Sequence, residues 1–145
     1  MVESSQAQGA EVIVVDANIV AYFFIQGSFT EKAQALFESQ PIWATPRLCS
    51  HELLNILATL AKTGRDPLNK ILDIWRRAHD LLLPFQQEVD MEKALHIACR
   101  LHLSAYDAQY LALADALGVP LITQDHKLIA AAPKVAQSLQ GFLRS

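Results

Sequence analysis

The chain has 145 residues, with Lys+Arg 12 against Asp+Glu 15 and a formal net charge of -3. One domain is the expectation at that length. A content of 52% hydrophobic and 19% charged residues excludes disordered, collagen-like and coiled-coil classes. The mild acidity argues against a protein that holds nucleic acid by bulk positive charge, though not against one that meets phosphates through bound metal ions.

Residues 1–10 are polar and lack the basic end and apolar run of a signal peptide. They read as a flexible tail ahead of a domain covering 11–145. Val12-Ile13-Val14-Val15 is a β-branched apolar run ending at Asp16, the pattern of a strand buried on both faces. Ala17 to Ile25 is expected to be helical, with Gly27 as its stop. A second helix opens at Thr30-Glu31 and carries Ala33, Leu36 and Phe37 on one stripe. Ile42-Trp43-Ala44 follows as a strand. Thr45-Pro46 then reads as an N-cap and first-turn pair, starting a helix with Leu53, Leu54, Leu57 and Leu60 on its face and Gly64 at its end.

Asp66-Pro67 repeats that start signal ahead of Leu68, Ile71, Leu72 and Trp75. Leu81-Leu82-Leu83, stopped by Pro84, reads as a strand. Asp90 is placed to cap a helix bearing Ala94, Leu95, Ile97 and Leu101. Ser104-Ala105-Tyr106-Asp107 resembles a capping box before Tyr110, Leu111 and Ala114. Gly118 ends that helix, and Val119 to Thr123 form the next strand. Asp125 precedes a short helix to Ala132, and Val135-Ala136 begins an edge strand. Strands alternating with helices imply an α/β domain with a mostly parallel sheet. Ligands of such folds bind beyond the carboxyl ends of the strands.

Cys49 and Cys99 form no C-x-x-C pair, so neither a zinc ribbon nor a secreted disulfide framework is supported. No run approaches the roughly 20 apolar residues of a membrane span. A reducing cytoplasm is the expected compartment.

Asp16, Glu52, Asp107 and Asp125 each stand in an apolar stretch where an acid is out of keeping with its neighbours. Hydrolysis of a phosphodiester without a covalent intermediate needs activated water and neutralised phosphate charge, which one or two Mg²⁺ or Mn²⁺ ions supply. Such ions take oxygen ligands, so several acids must converge from different segments. Each acid also has a structural reading. Asp16 and Asp125 can cap helices, Asp107 can offset a helix dipole, and Glu52 can face solvent. Their joint order favours the chemical reading.

Val14-Val15-Asp16-Ala17-Asn18, Glu52-Leu53-Leu54-Asn55, Ala105 to Ala114 and Leu121-Ile122-Thr123-Gln124-Asp125 together resemble the PIN domain, most of all its VapC-type toxin ribonucleases. The resemblance runs from about Val12 to Leu143. It implies a three-layer α/β/α sandwich around a parallel sheet of four or five strands. It implies that Asp16, Glu52 and Asp107 are the principal metal-site acids, with Asp125 in the fourth, more variable position. Asn18 and Thr123 match polar positions that support the site. The implied chemistry is Mg²⁺- or Mn²⁺-dependent cleavage of RNA to a 5′-phosphate and a 3′-hydroxyl. A homodimer is also implied, as is a cognate antitoxin whose tail covers the acidic pocket and whose helix could rest on Phe23 and Leu60.

Three other readings compete: an inactive PIN-like interaction module, a housekeeping nuclease that is not a toxin, and a flavodoxin-like phosphate-binding domain. The last would need a phosphate loop that the chain does not show. His51-Glu52-x-x-Asn55 lacks the second histidine of a zinc peptidase. Cys99-x-x-His102 reads as ordinary packing. Trp43, Trp75, Phe23, Phe24 and Phe37 fall at core spacings. Arg47, Lys62, Arg65, Arg76 and Arg77 read as solvated charges that could also line a path for RNA backbone.

Overall fold

In a computed structural model, residues 11–145 are described, so the expected tail at 1–10 lies outside the described residues. Five parallel strands form the sheet: β1 (Val12–Val15), β2 (Ile42–Pro46), β3 (Gln86–Gln87), β4 (Leu121–Ile122) and β5 (Ala136–Gln137), in the order β3-β2-β1-β4-β5. Eight α-helices among the described residues complete a three-layer α/β/α sandwich. They are α1 (Ala17–Phe24), α2 (Thr30–Ser39), α3 (Leu48–Lys62), α4 (Leu68–Leu82), α5 (Met91–Leu101), α6 (Ala105–Leu117), α7 (His126–Ala131) and α8 (Leu139–Arg144).

Parallel strands need crossovers, and right-handed crossovers decide which face each helix covers. The chain steps from β1 outward through β2 to β3, which places α1 to α4 on one face. It then returns past β1 to β4 and β5, which places α5 to α7 on the other. Helix α6 packs across β1, β2 and β4, while α8 packs against α2. The reversal falls between β1 and β4, so the crevice at their carboxyl ends is a topological switch point. No described helix is long and apolar enough to cross a membrane.

The core is the strand run Ile13, Val14 and Val15, with Trp43, Leu53, Leu57, Leu111, Leu121 and Ile122. At the edge of this core Phe23 packs against Phe24, Phe37 and Trp43, with ring centroids 4.9, 5.0 and 5.5 Å away. Phe23 is therefore bound up in an aromatic cluster.

Several local expectations are corrected. Leu81-Leu82-Leu83 is not a strand. Ile71, Ile74, Ala78 and Leu82 are the buried positions of α4, so its helical stripe runs on through this segment. The chain then turns at Leu83–Phe85, and the edge strand falls on the polar pair Gln86–Gln87. An edge strand needs no apolar run because one side stays open. Leu68 and Leu72, expected on the buried face of α4, are 63% and 41% exposed.

Thr45-Pro46 ends β2 and does not cap α3, which starts at Leu48 behind Arg47 without a side-chain cap. Pairing with Gln86 and Gln87 keeps both residues extended. Asp66 does not cap α4 either; its carboxylate is held by Arg65 at 3.1 Å and Lys70 at 3.0 Å. Cys99 is exposed, and His102 ends α5 in the left-handed region, so neither packs in the core. Asp90 and Ser104 start their helices, and the left-handed Gly118 ends one, where expected.

Candidate active site

Asp16 ends β1 and caps α1, so one carboxylate serves two neighbours. Its Oδ1 accepts the Ile19 N–H at 3.1 Å, and its Oδ2 accepts the Thr123 hydroxyl at 2.5 Å. Thr123 Oγ1 in turn accepts the Asp125 N–H at 3.0 Å. One threonine thus links the ends of the two strands that flank the switch point. Asp125 then caps α7, its Oδ1 accepting the Lys127 N–H at 2.9 Å. The structural readings of Asp16 and Asp125 hold, and the site reading stands beside them.

Glu52 lies one turn into α3, which leaves the carboxyl end of β2. It is not solvent-facing: the Tyr110 hydroxyl donates to its Oε1 at 2.6 Å. Asp107 occupies the first turn of α6, whose N-terminus is capped by Ser104 Oγ accepting the Asp107 N–H at 3.0 Å. Helix α6 runs against the strand it feeds, so that N-terminus reaches the same edge of the sheet. Asp107 and Tyr110 are three residues apart on α6, as Cys49 and Glu52 are on α3. Residues at that spacing share a helix face, so the Tyr110–Glu52 bond cross-braces the two acid-bearing helices.

The four acids line one pocket of about 750 Å³, together with Asn18, His51, Asn55, Tyr106, Gln109 and Tyr110. Neither Lys nor Arg lines it. Burial and the nearby charges of Glu52 and Asp125 push the Asp16 carboxyl up to about 6. Burial, then the charge of Asp125, raises Asp107 as well. Beneath them burial lifts the Cys49 thiol to about 12 and pushes the Tyr110 phenol far above its ordinary value, so both stay neutral. Asp125 and Asn18 are exposed at the mouth, while Thr123 is fully buried.

Among the described residues, no three His, Cys, Asp or Glu side chains are already gathered close enough to hold one ion directly. The donor set still fits a hard divalent cation. It is rich in carboxylate oxygen, neither Lys nor Arg lines it, and burial with like charge works against the ionised form of Asp16 and Asp107. Mg²⁺ takes one or two carboxylates and keeps several waters, so it does not require a closed protein cage. Sequence reasoning missed Tyr110 because a tyrosine within the apolar face of α6 looks like core until Glu52 is seen opposite its hydroxyl.

The sequence profile of the PIN domain matches residues 13–134. The chain belongs to the PIN domain family. This PIN domain is 28% identical over 120 residues to ribonuclease VapC3 of Pyrobaculum aerophilum, covering 80% of this chain and 91% of that protein. Its fold matches the crystal structure of PAE2754 from Pyrobaculum aerophilum with a TM-score of 0.73 at 23% identity, covering 94% and 91% of the two chains. FitAcB from Neisseria gonorrhoeae matches with a TM-score of 0.67 at 17% identity, covering 88% of this chain and 98% of the other.

Proposed function

We propose that this PIN domain is a Mg²⁺- or Mn²⁺-dependent endoribonuclease and the toxin of a type II toxin–antitoxin pair. The observation that carries the reading is the convergence of Asp16, Glu52, Asp107 and Asp125 on one pocket that neither Lys nor Arg lines. The likeness to ribonuclease VapC3 supports RNA as the substrate. A divalent cation bound there would neutralise phosphate charge and activate water.

Asp16 and Asp107 would hold the principal ion, with Glu52 shared and Asp125 holding or positioning a second. Thr123 and the Ile19 amide each donate to a different oxygen of Asp16, which fixes the carboxylate plane and leaves acceptor capacity on both oxygens. Asn18, at the mouth, would orient ligands or substrate. The expected products carry a 5′-phosphate and a 3′-hydroxyl.

The partner reading rests on an apolar cleft of about 530 Å³, lined by Tyr22, Ile25, Phe29, Ile56 and Leu60. It adjoins the acidic pocket through Asn18 and Ile56. An antitoxin helix laid there would carry its tail to the acids. A second copy of the chain is the other expected partner.

The test is incubation of the purified chain with end-labelled single-stranded RNA. Cleavage is expected with Mg²⁺ or Mn²⁺, none with EDTA, and the neighbouring antitoxin should suppress it. Metal binding without any cleavage would favour an inactive interaction module instead.

Tyr110→Phe probes the brace, since it keeps the ring and removes only the hydroxyl that holds Glu52. Loss of a group that orients a metal ligand typically costs 10–100-fold in metal affinity. The Mn²⁺ concentration giving half-maximal thermal stabilisation should therefore rise by about that factor. In a Glu52→Gln background the same substitution should add almost nothing. Additive losses would make Tyr110 a packing residue only.

A further inference from the structure

Without a bound cation, an acidic pocket in a chain of net charge -3 cannot draw RNA in, so metal-independent affinity for a polyanion must come from its borders. Two clefts share lining residues with the acidic pocket. The first, containing Leu60, is lined by apolar and neutral polar side chains and offers no cationic group to a phosphate. The second has a volume of about 300 Å³ and meets the acidic pocket at His51. It is lined by Arg47, Ser50, His51, Leu54, Trp75, His79 and Gln86.

The groups in this second cleft are those that hold an unpaired nucleotide. Trp75 is half-buried, packed against the edge of the core with part of its surface open to the cleft, and its ring lies 5.5 Å from that of His79 at an interplanar angle of 31°. The two rings are one turn apart on α4 and form a ready platform. The Gln86 amide donates to Ser50 Oγ at 3.1 Å, which ties the polar wall of the cleft together across β3 and α3. Arg47 pairs with Glu88 at 2.7 Å, but both side chains are largely exposed. Such a pair contributes little, so the guanidinium can exchange Glu88 for a phosphate at small cost.

We propose that this cleft is a nucleotide subsite of the RNA substrate: one unpaired base stacks on Trp75, and Arg47 meets the adjoining phosphate. This rests on the ribonuclease reading above and deepens it. Single-stranded RNA is ordinarily held by stacking of splayed bases on aromatic side chains beside cationic groups. Continuity through His51 would place the stacked base next to the nucleotide whose phosphate enters the acidic pocket. Duplex RNA, with its bases paired and stacked, would not fit.

The chain has two tryptophans, and Trp43 is fully buried, so fluorescence quenching by a ligand reports on Trp75. Short adenine homopolymer RNA is titrated into the intact protein in EDTA, where no metal-dependent cleavage takes place. Saturable quenching by single strands and little by a duplex of equal length is expected. Trp75→Leu should weaken binding, followed by anisotropy of labelled RNA, by roughly 5- to 150-fold, as for loss of one stacked base. Trp75→Phe should recover most of it. Arg47→Ala should weaken binding and reduce the slope of log affinity against log salt by about one.

Absence of quenching, or unchanged affinity in Arg47→Ala and a folded Trp75→Leu, would overturn the subsite. So would a stable dimer of the parent chain that Trp75→Leu converts to monomer, since a protein surface would then occupy the cleft. Quenching that persists in a chain found unable to cleave RNA with any metal would sink the nuclease reading and leave the subsite. Cleavage without quenching would do the reverse.

Discussion

Asp16→Asn is expected to lower RNA cleavage by orders of magnitude while making the metal-free protein more stable. Both effects follow from a carboxylate that is a helix cap and a buried charge at once. Asparagine caps about as well as aspartate, so α1 keeps its Ile19 contact. It cannot supply the negative charge that a divalent cation requires. What disappears in the metal-free fold is a charge that burial, Glu52 and Asp125 all disfavour. A rise from 3.8 to about 6 corresponds to up to about 3 kcal/mol at 1.36 kcal/mol per pH unit. Asparagine has one acceptor oxygen, so the Thr123 hydroxyl loses its partner at Oδ2 and part of that gain is offset. At roughly 2–4 °C per kcal/mol for a chain of about this size, melting in EDTA at pH 7 should rise by no more than about 6–12 °C. Cleavage assays and thermal scans of this one variant, with and without Mn²⁺, check both halves. Full activity in Asp16→Asn would refute the assignment of the site.

The same carboxyl sets a pH dependence. Its folded pKa lies above its unfolded one, so between about pH 4 and 6 the folded state holds the proton more tightly than the unfolded state. The metal-free protein should lose stability as pH climbs through that window and level off above it. Asp107, shifted in the same direction, adds to the fall. Chemical denaturation in EDTA from pH 4 to 8 should show the decline in the parent chain and a shallower one in Asp16→Asn.

How much of this was legible beforehand differs from element to element. The strand at Val12–Val15, the caps at Asp90 and Ser104 and the stop at Gly118 depend on local chemistry, and each was readable within a residue or so. Leu81-Leu82-Leu83 is ambiguous because three leucines satisfy a buried strand and the end of an amphipathic helix equally. Only the stripe begun at Ile71 and Ile74 decides between them. Thr45-Pro46 departs from its local pattern for the opposite reason. Its cap signal is real, but pairing of β2 with β3 on one side and β1 on the other overrides it.

The site shows the same division. Asp16 and Asp125 could be singled out because an acid directly after an apolar strand is conspicuous, and Glu52 and Asp107 because family-like blocks surround them. Their meeting in one pocket depends on the strand order around β1 and β4, which no local pattern encodes. Tyr110 and Trp75 mark the limit. Each sits at helical core spacing, and only the tertiary arrangement separates a tyrosine that braces an acid, or a tryptophan that lines a cleft, from one that fills the interior.

Mn²⁺, and more weakly Mg²⁺, should raise the melting temperature of the parent chain in the millimolar range, and EDTA should abolish the rise. Charges at Asp16, Glu52, Asp107 and Asp125 repel across the metal-free pocket, and an ion that binds only the folded state stabilises it by RT ln(1 + [L]/Kd). At a hundred times Kd that is about 2.7 kcal/mol, or roughly 5–10 °C for a chain near 150 residues. Protons and cations compete for the same oxygens. The rise should therefore be small at pH 5, where Asp16 is largely protonated, and near full size at pH 8. A nonspecific salt effect would follow ionic strength instead, so the scans are repeated at constant ionic strength with Ca²⁺ and with monovalent salt. In Asp16→Asn the rise should shrink and its pH dependence should weaken, because one of the groups whose proton competed with the ion is gone while Asp107, shifted in the same direction, remains. Equal stabilisation of both proteins at pH 5 and pH 8 would show that the ion binds away from these acids, and the site would have to be sought elsewhere.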